Sequence, residues 1–95
     1  MEILNVRIES TSLGFEDHGI LTFYLFLEWE GAGQGFGGYA LGKAYTTFVI
    51  EGILKTIEVE NWEDLSGKYI RIKRKDGKII EIGNIIKDKW FNPAK

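Results

Sequence analysis

The chain has no cysteine, and only one histidine and one proline among its 95 residues. Without cysteine it forms neither disulfides nor thiolate metal sites, and nothing ties it to an oxidising compartment. One histidine alone cannot complete a transition-metal site. Long apolar runs are missing too: the longest, Ile20 to Leu27, covers eight residues, against the roughly 20 that span a bilayer. The N-terminus, MEILNVRIES, opens on an acidic residue and alternates, unlike a secretory signal or a transit peptide. No membrane association is expected, and the expected location is cytoplasmic.

With 44% hydrophobic and 14% aromatic residues the chain is rich enough in core formers to fold. Its length predicts one globular domain over residues 1–95. A domain of that size buries only roughly 60 to 65% of the surface of its unfolded chain, so a deep site needs walls from a second subunit. A homo-oligomer is therefore expected of any ligand-enclosing form. The net charge of −2 conceals a polarity along the chain: eleven acids face three bases up to Ser66, and three acids face nine bases after it.

Met1 to Thr11 alternates, with Leu4, Val6 and Ile8 on one side, and reads as a half-buried strand. A turn from Ser12 to Gly19 leads to Ile20 to Glu30, whose odd positions Leu21, Phe23, Leu25, Leu27 and Trp29 are all apolar and predict a core face. Its even face carries Tyr24 and Phe26, so it is either covered or part of a binding surface. The period then changes to that of a helix, about Tyr45 to Ile57, with a stripe of Tyr45, Phe48, Val49, Gly52, Ile53 and Ile57. Asn61 reads as an N-cap with Asp64 as its reciprocal partner. Lys68 to Lys75 and Lys78 to Ile86 flank Asp76-Gly77, a strong hairpin signal, with Ile70 and Ile72 inward and Gly83 where a bulge would sit. Trp90 and Phe91 are expected to pin the terminus. The fold class is α+β: a small antiparallel sheet of about five strands, in the order strand, strand, strand, helix, strand, strand, with one main helix packed on one face.

Six of the twelve glycines lie in Gly31 to Gly42, GAGQGFGGYALG, around Phe36 and Tyr39. Glycine serves where a backbone turns to positive φ or approaches something closely. This segment joins the most apolar strand to the only helix, so it is expected to be a structural corner. Gly37 to Ala44, GGYALGKA, fits the phosphate-loop pattern until Ala44, where a magnesium-binding hydroxyl is required. Hydrolysis is thereby excluded, while passive phosphate binding by glycine amides, Lys43 and a helix N-terminus stays open. His18, in EDHG, reads as part of a solvated turn in which Asp17 bonds its own backbone. Glu28 and Glu30 read as a strand end. No nucleophile, base and orienting group assemble, so no catalytic residue, metal or cofactor is expected. The basic hairpin, Tyr69 with Arg71, Lys73, Arg74, Lys75 and Lys78, could follow phosphates, but the acidic remainder argues against nucleic acid.

Three stretches, SLGFEDHGILTF, EWEGAGQGFGGYAL and the pair ENWEDLSGKYIRIK with IIEIGNIIKDKWFNP, resemble a family of small phage and prophage proteins of uncharacterised function. The resemblance covers nearly the whole chain and carries no catalytic residues. It implies a protein that acts by binding, as counter-defence: either it sequesters a nucleotide-like signal, or, like an anti-CRISPR protein, it blocks a host defence protein through an acidic surface. For the first, the expected ligand site comprises Gln34, Gly35, Phe36, Gly37, Gly38, Tyr39 and Lys43, with Tyr24 and Phe26 as a wall. Alanine at Phe36 and Tyr39 is then expected to abolish binding without unfolding the protein.

Overall fold

A computed structural model describes residues 1–16 and 18–94. It contains β1 (Glu2–Phe15), β2 (Leu21–Trp29), β3 (Ala32–Ala40), α1 (Ala44–Ile57), a 3₁₀ turn (Trp62–Asp64), β4 (Tyr69–Lys75), β5 (Lys78–Gly83) and β6 (Trp90–Phe91). The strands form one antiparallel sheet in the order β3-β2-β1-β4-β5-β6. The α+β class and the single main helix are as expected. The sixth strand is the Trp90–Phe91 pair laid against Ile82 and Gly83.

The long strand β1 organises the sheet. Its first part, Glu2 to Arg7, pairs with β4, whereas Arg7 to Phe15 pairs with β2, and only Arg7 has a register partner on both sides, Glu28 and Tyr69. An irregularity between Ile8 and Ser10 adds a residue where the strand changes partners. A bulge bends its strand and increases twist, so the two halves of the sheet swing relative to each other. The ends of the sheet approach as a result: Gln34 Nε2 of β3 donates to Gly77 O at the β4–β5 turn, at 3.0 Å. The strand runs to Phe15, beyond the expected Thr11, because Leu13, Gly14 and Phe15 find ladder partners in Phe23, Thr22 and Leu21.

The concave face holds the core. Val6, Ile8, Phe23, Leu25, Leu27, Ile70, Ile72 and Ile82 from the strands meet Val49 and Ile53 of α1 and Leu65. Alternation placed all eight strand residues on an inward face or β-rich run, and each is buried. The helix is rotated from the expected stripe: Thr46, Val49, Ile53 and Thr56 face inward, while Tyr45 and Phe48 stay about half exposed. Thr46 is accommodated because its Oγ1 donates to Ala40 O at 2.5 Å, closing the corner between β3 and α1. At the other end Glu58 caps the helix in the left-handed region at φ 65, and its carboxylate meets Lys87 Nζ at 2.9 Å and Lys89 Nζ at 3.3 Å.

Two local expectations change. Asn61 precedes the 3₁₀ turn but makes no side-chain cap: its carbonyl accepts from Asp64 N–H at 3.1 Å, and its side-chain amide donates to Asp64 Oδ2 at 3.4 Å. The irregularity in the β4–β5 ladder falls between Lys73 and Arg74, not at Gly83. Gly83 instead leaves room for Trp90, whose ring would lie 2.5 Å from any Cβ there. The turn Asp76-Gly77 has positive φ at both residues, 53° and 76°, the geometry that makes this dipeptide a hairpin signal. Asp17, expected to bond its own backbone, lies outside the described residues.

Gly52 tests how tightly α1 is seated. A Cβ at this helical position would meet Phe91 ring atoms at 2.3 to 2.6 Å, and that ring is buried. Alanine gains about 1 kcal/mol of helix propensity, but overpacking costs about 1–3 kcal/mol. Gly52→Ala is therefore expected to lower stability by up to about 2 kcal/mol in urea denaturation; an alanine variant more stable than wild type would contradict this packing.

Candidate functional site

The glycine-rich segment is mostly an edge strand, and the corner proper is confined to residues 41–43. Its register against β2 shifts between Phe23 and Tyr24, with Tyr24 opposite Gly37 and Phe23 opposite Tyr39. Gly38 is thus an inserted residue. Both bulge positions require glycine: φ is 134° at Gly37, where a Cβ would meet the Phe23 carbonyl oxygen at 2.5 Å, and 82° at Gly38. Residues three apart in an unbroken strand point to opposite faces. The inserted glycine cancels that alternation and turns Phe36 and Tyr39 to the same, concave face, opposite Leu25 and Phe23.

There Phe36 and Tyr39 border a cleft of about 340 Å³ closed by Tyr45, Ile79, Ile80 and the segment Asn92 to Ala94. Aromatic rings pack in continuous sequence: Trp62 edge-on to Phe23 at 5.4 Å, Phe23 stacked with Tyr39 at 5.5 Å, Tyr39 beside Tyr45 at 5.8 Å, then Phe48 and Phe91. Burial first, and then the neighbouring Tyr45 hydroxyl, push the Tyr39 phenol above its ordinary range. Tyr45 Oη donates to the Pro93 carbonyl. The cleft thus offers flat apolar walls, two phenols and the Asn92 side chain. Phe36 is only 7% exposed and belongs to the core, so its replacement by alanine costs stability, about 3–5 kcal/mol for a buried phenylalanine, as well as a wall.

The remaining expected site residues lie elsewhere. Tyr24 and Phe26 stand on the convex face, stacked at 5.7 Å and leaning over Gly35, whose built Cβ would be 3.9 Å from both rings. The sheet itself separates them from Phe36 and Tyr39, so they form no wall of that cleft. Gln34 is spent on Gly77 O. Lys43 sits exposed before α1 with extended backbone, its carbonyl accepting from Thr46 and Thr47 N–H. Tyr45, Ile79, Ile80 and Pro93 were not expected at the site; only coiling of the sheet brings the β5 pair to β3.

No protein-family model, curated protein or solved structure matches this chain. The functional argument accordingly rests on the surface itself. A wider notch of about 810 Å³ opens on the convex side where β1 parts from β2, lined by Tyr69, Ile85, Trp29 and the Arg7–Glu28 ion pair at 2.9 Å. Its Arg7–Glu28 pair is satisfied internally and its rim carries the acidic Glu30, whereas the other cleft is walled by aromatic rings and is the candidate ligand site. Glu28 is thus held by Arg7 and not poised with Glu30. Among the described residues no three His, Asp or Glu side chains are grouped to hold a metal ion. Described helices include none long and apolar enough to cross a membrane.

The phenol shift has a testable sign. A group whose folded pKa is raised stabilises fully below its unfolded value, about 10 for tyrosine, and that contribution is lost as pH rises through the folded value. Denaturation at increasing pH above about 10 should therefore cost wild type more stability than Tyr39→Phe. Parallel losses in the two proteins would show that the Tyr39 hydroxyl is not held in the cleft.

Proposed function

We propose that this is a non-enzymatic binding protein that takes a small, flat, nucleotide-like ligand in the cleft between β3, α1 and β5. The observation that carries the reading is the wall of Phe36, Tyr39 and Tyr45 around a cleft of about 340 Å³, a volume at the lower end of the roughly 300–1,000 Å³ typical of ligand sites. Aromatic faces suit a nucleobase, because stacking on them is worth about 1–3 kcal/mol per base and tolerates any base. The phenols and Asn92 supply hydrogen bonds. In the setting implied by the resemblance to phage proteins, the ligand is a nucleotide signal of host defence, sequestered in the host cytoplasm. The open mouth of the cleft favours a homo-oligomer, in which a second subunit encloses the ligand.

The second reading, a protein-blocking inhibitor with an acidic surface, has one favouring observation. Glu60, Glu63 and Asp64 line a shallow acidic depression beside Glu58. Against it, folding mixes the charges that the sequence separates: Glu2 pairs with Arg74 at 3.4 Å and Glu58 with Lys87 and Lys89. The acidic field is correspondingly weakened.

Thermal-shift screening against cyclic nucleotides and ADP-ribose derivatives tests the first reading. A ligand at about 100 times its Kd adds about 2.7 kcal/mol, which for a domain of this size raises Tm by roughly 10 °C or more. Tyr39→Ala should abolish that shift, whereas Tyr24→Ala on the opposite face should retain it. Silence across the panel, or dependence on Tyr24 instead, would sink the reading.

A further inference from the structure

The walls of the cleft are not equally fixed. Behind it, Trp90 lies on Gly83 with Arg71 and Lys73 cations 4.7 and 4.2 Å from its ring centre, and Phe91 is seated on Gly52. Arg71 also clamps the preceding loop, donating through Nε to Asn84 O at 2.7 Å and through Nη2 to Lys87 O at 2.8 Å. Asn84 in turn donates to Thr56 O at 3.0 Å at the end of α1. The chain is therefore anchored firmly as far as Phe91. Asn92, Pro93 and Ala94 continue past that anchor along the cleft, turned by the Ala94 N–H bond to Asn92 Oδ1 at 2.9 Å. Tyr45 Oη donates to the Pro93 carbonyl and so ties this strap to α1.

We propose that Asn92 to Ala94 form a strap that gates the cleft, with the Tyr45 hydroxyl as its latch. This rests on the reading of the cleft as a ligand site. The physical reason is the inventory of one hydroxyl: it has a single proton to donate. While that proton is given to Pro93 O, the strap is tied down and Tyr45 has none for a ligand. An incoming phosphoryl, sulfonyl or carbonyl oxygen at Tyr45 accepts that hydrogen bond in place of Pro93 O and frees the strap; a ligand that only donates bonds to the oxygen lone pair and leaves the tie in place. The gate thus opens to acceptor-bearing ligands, the class to which nucleotides belong. Tyr39, whose ring adjoins Tyr45 at 5.8 Å, is the second phenol in the cleft and makes no bond to the strap among the described residues.

Amide hydrogen exchange and stopped-flow fluorescence with anilinonaphthalene sulfonate, an aromatic probe carrying a sulfonyl acceptor, test the gate on the full chain. Tyr45→Phe keeps the ring and deletes the latch; Tyr24→Phe, on the convex face away from the cleft, is the control that keeps the latch. Expected is exchange at Ala94 faster by roughly fivefold or more in Tyr45→Phe, the loss of one ordinary hydrogen bond, with Ile53 in the core unchanged. Probe association should quicken in that variant alone. Unchanged exchange at Ala94, or equal acceleration in both variants, overturns the latch. Faster exchange with equal probe association in all three proteins overturns the gate. Failure of the probe to bind any of them, with exchange still faster in Tyr45→Phe, counts against the cleft as a ligand site and leaves the strap attachment supported.

Discussion

The divided pairing of β1 is the constraint on which the rest of the structure depends. One strand serves two partners in succession, β4 along Glu2 to Arg7 and β2 along Arg7 to Phe15, and the extra residue at the changeover bends it. A flat six-stranded sheet would leave β3 and β5 far apart. Coiling lets it bury Phe23, Leu25, Ile72 and Ile82 in one core, brings Gln34 to Gly77, and leaves between its ends a cleft that α1 and the C-terminal segment close. The bulk of the stabilisation is apolar burial, at about 25 cal/mol per Å². Exposed pairs such as Lys55 with Glu51 add little.

The second constraint is the inserted Gly38. Gly37 and Gly38 permit a backbone that no other residue adopts without strain, and the insertion decides on which face two aromatic side chains emerge. Gly35 differs: its φ is ordinary, and a Cβ there would sit in normal contact, 3.9 Å from the Tyr24 and Phe26 rings that lie over it.

Much of the architecture was legible in the sequence because its signals are local. Alternation in Leu4, Val6 and Ile8 and in Phe23, Leu25 and Leu27, the Asp76-Gly77 turn and the helical period after Lys43 each depend on neighbours in the chain, and each corresponds to an observed element. The site was legible only in part. Phe36 and Tyr39 do line the cleft, but Tyr24 and Phe26 could be grouped with them only while the direction of each face was unknown. The bulge that sorts them is a two-against-one register between strands, and glycine content alone does not reveal it. Ile79, Ile80 and Pro93 carried no signal at all, since their place at the cleft follows from the coil of the whole sheet. The rotation of α1 was hidden for a related reason: the apolar stripe leaves out Thr46 and Thr56, and the bond that lets Thr46 face inward, to Ala40 O, comes from another element.

The central claim is that the sheet places Phe36 and Tyr39 on one face with Tyr45 and β5, and Tyr24 and Phe26 on the other. Nuclear Overhauser contacts among the aromatic rings measure this most directly. The account predicts contacts from the Tyr39 ring to Tyr45 and Phe23 and between Tyr24 and Phe26, with none from Tyr39 to Phe26. Contacts between the Tyr39 and Phe26 rings would contradict it, because they require an unbulged strand in which Tyr39 turns to the convex face, away from Phe36.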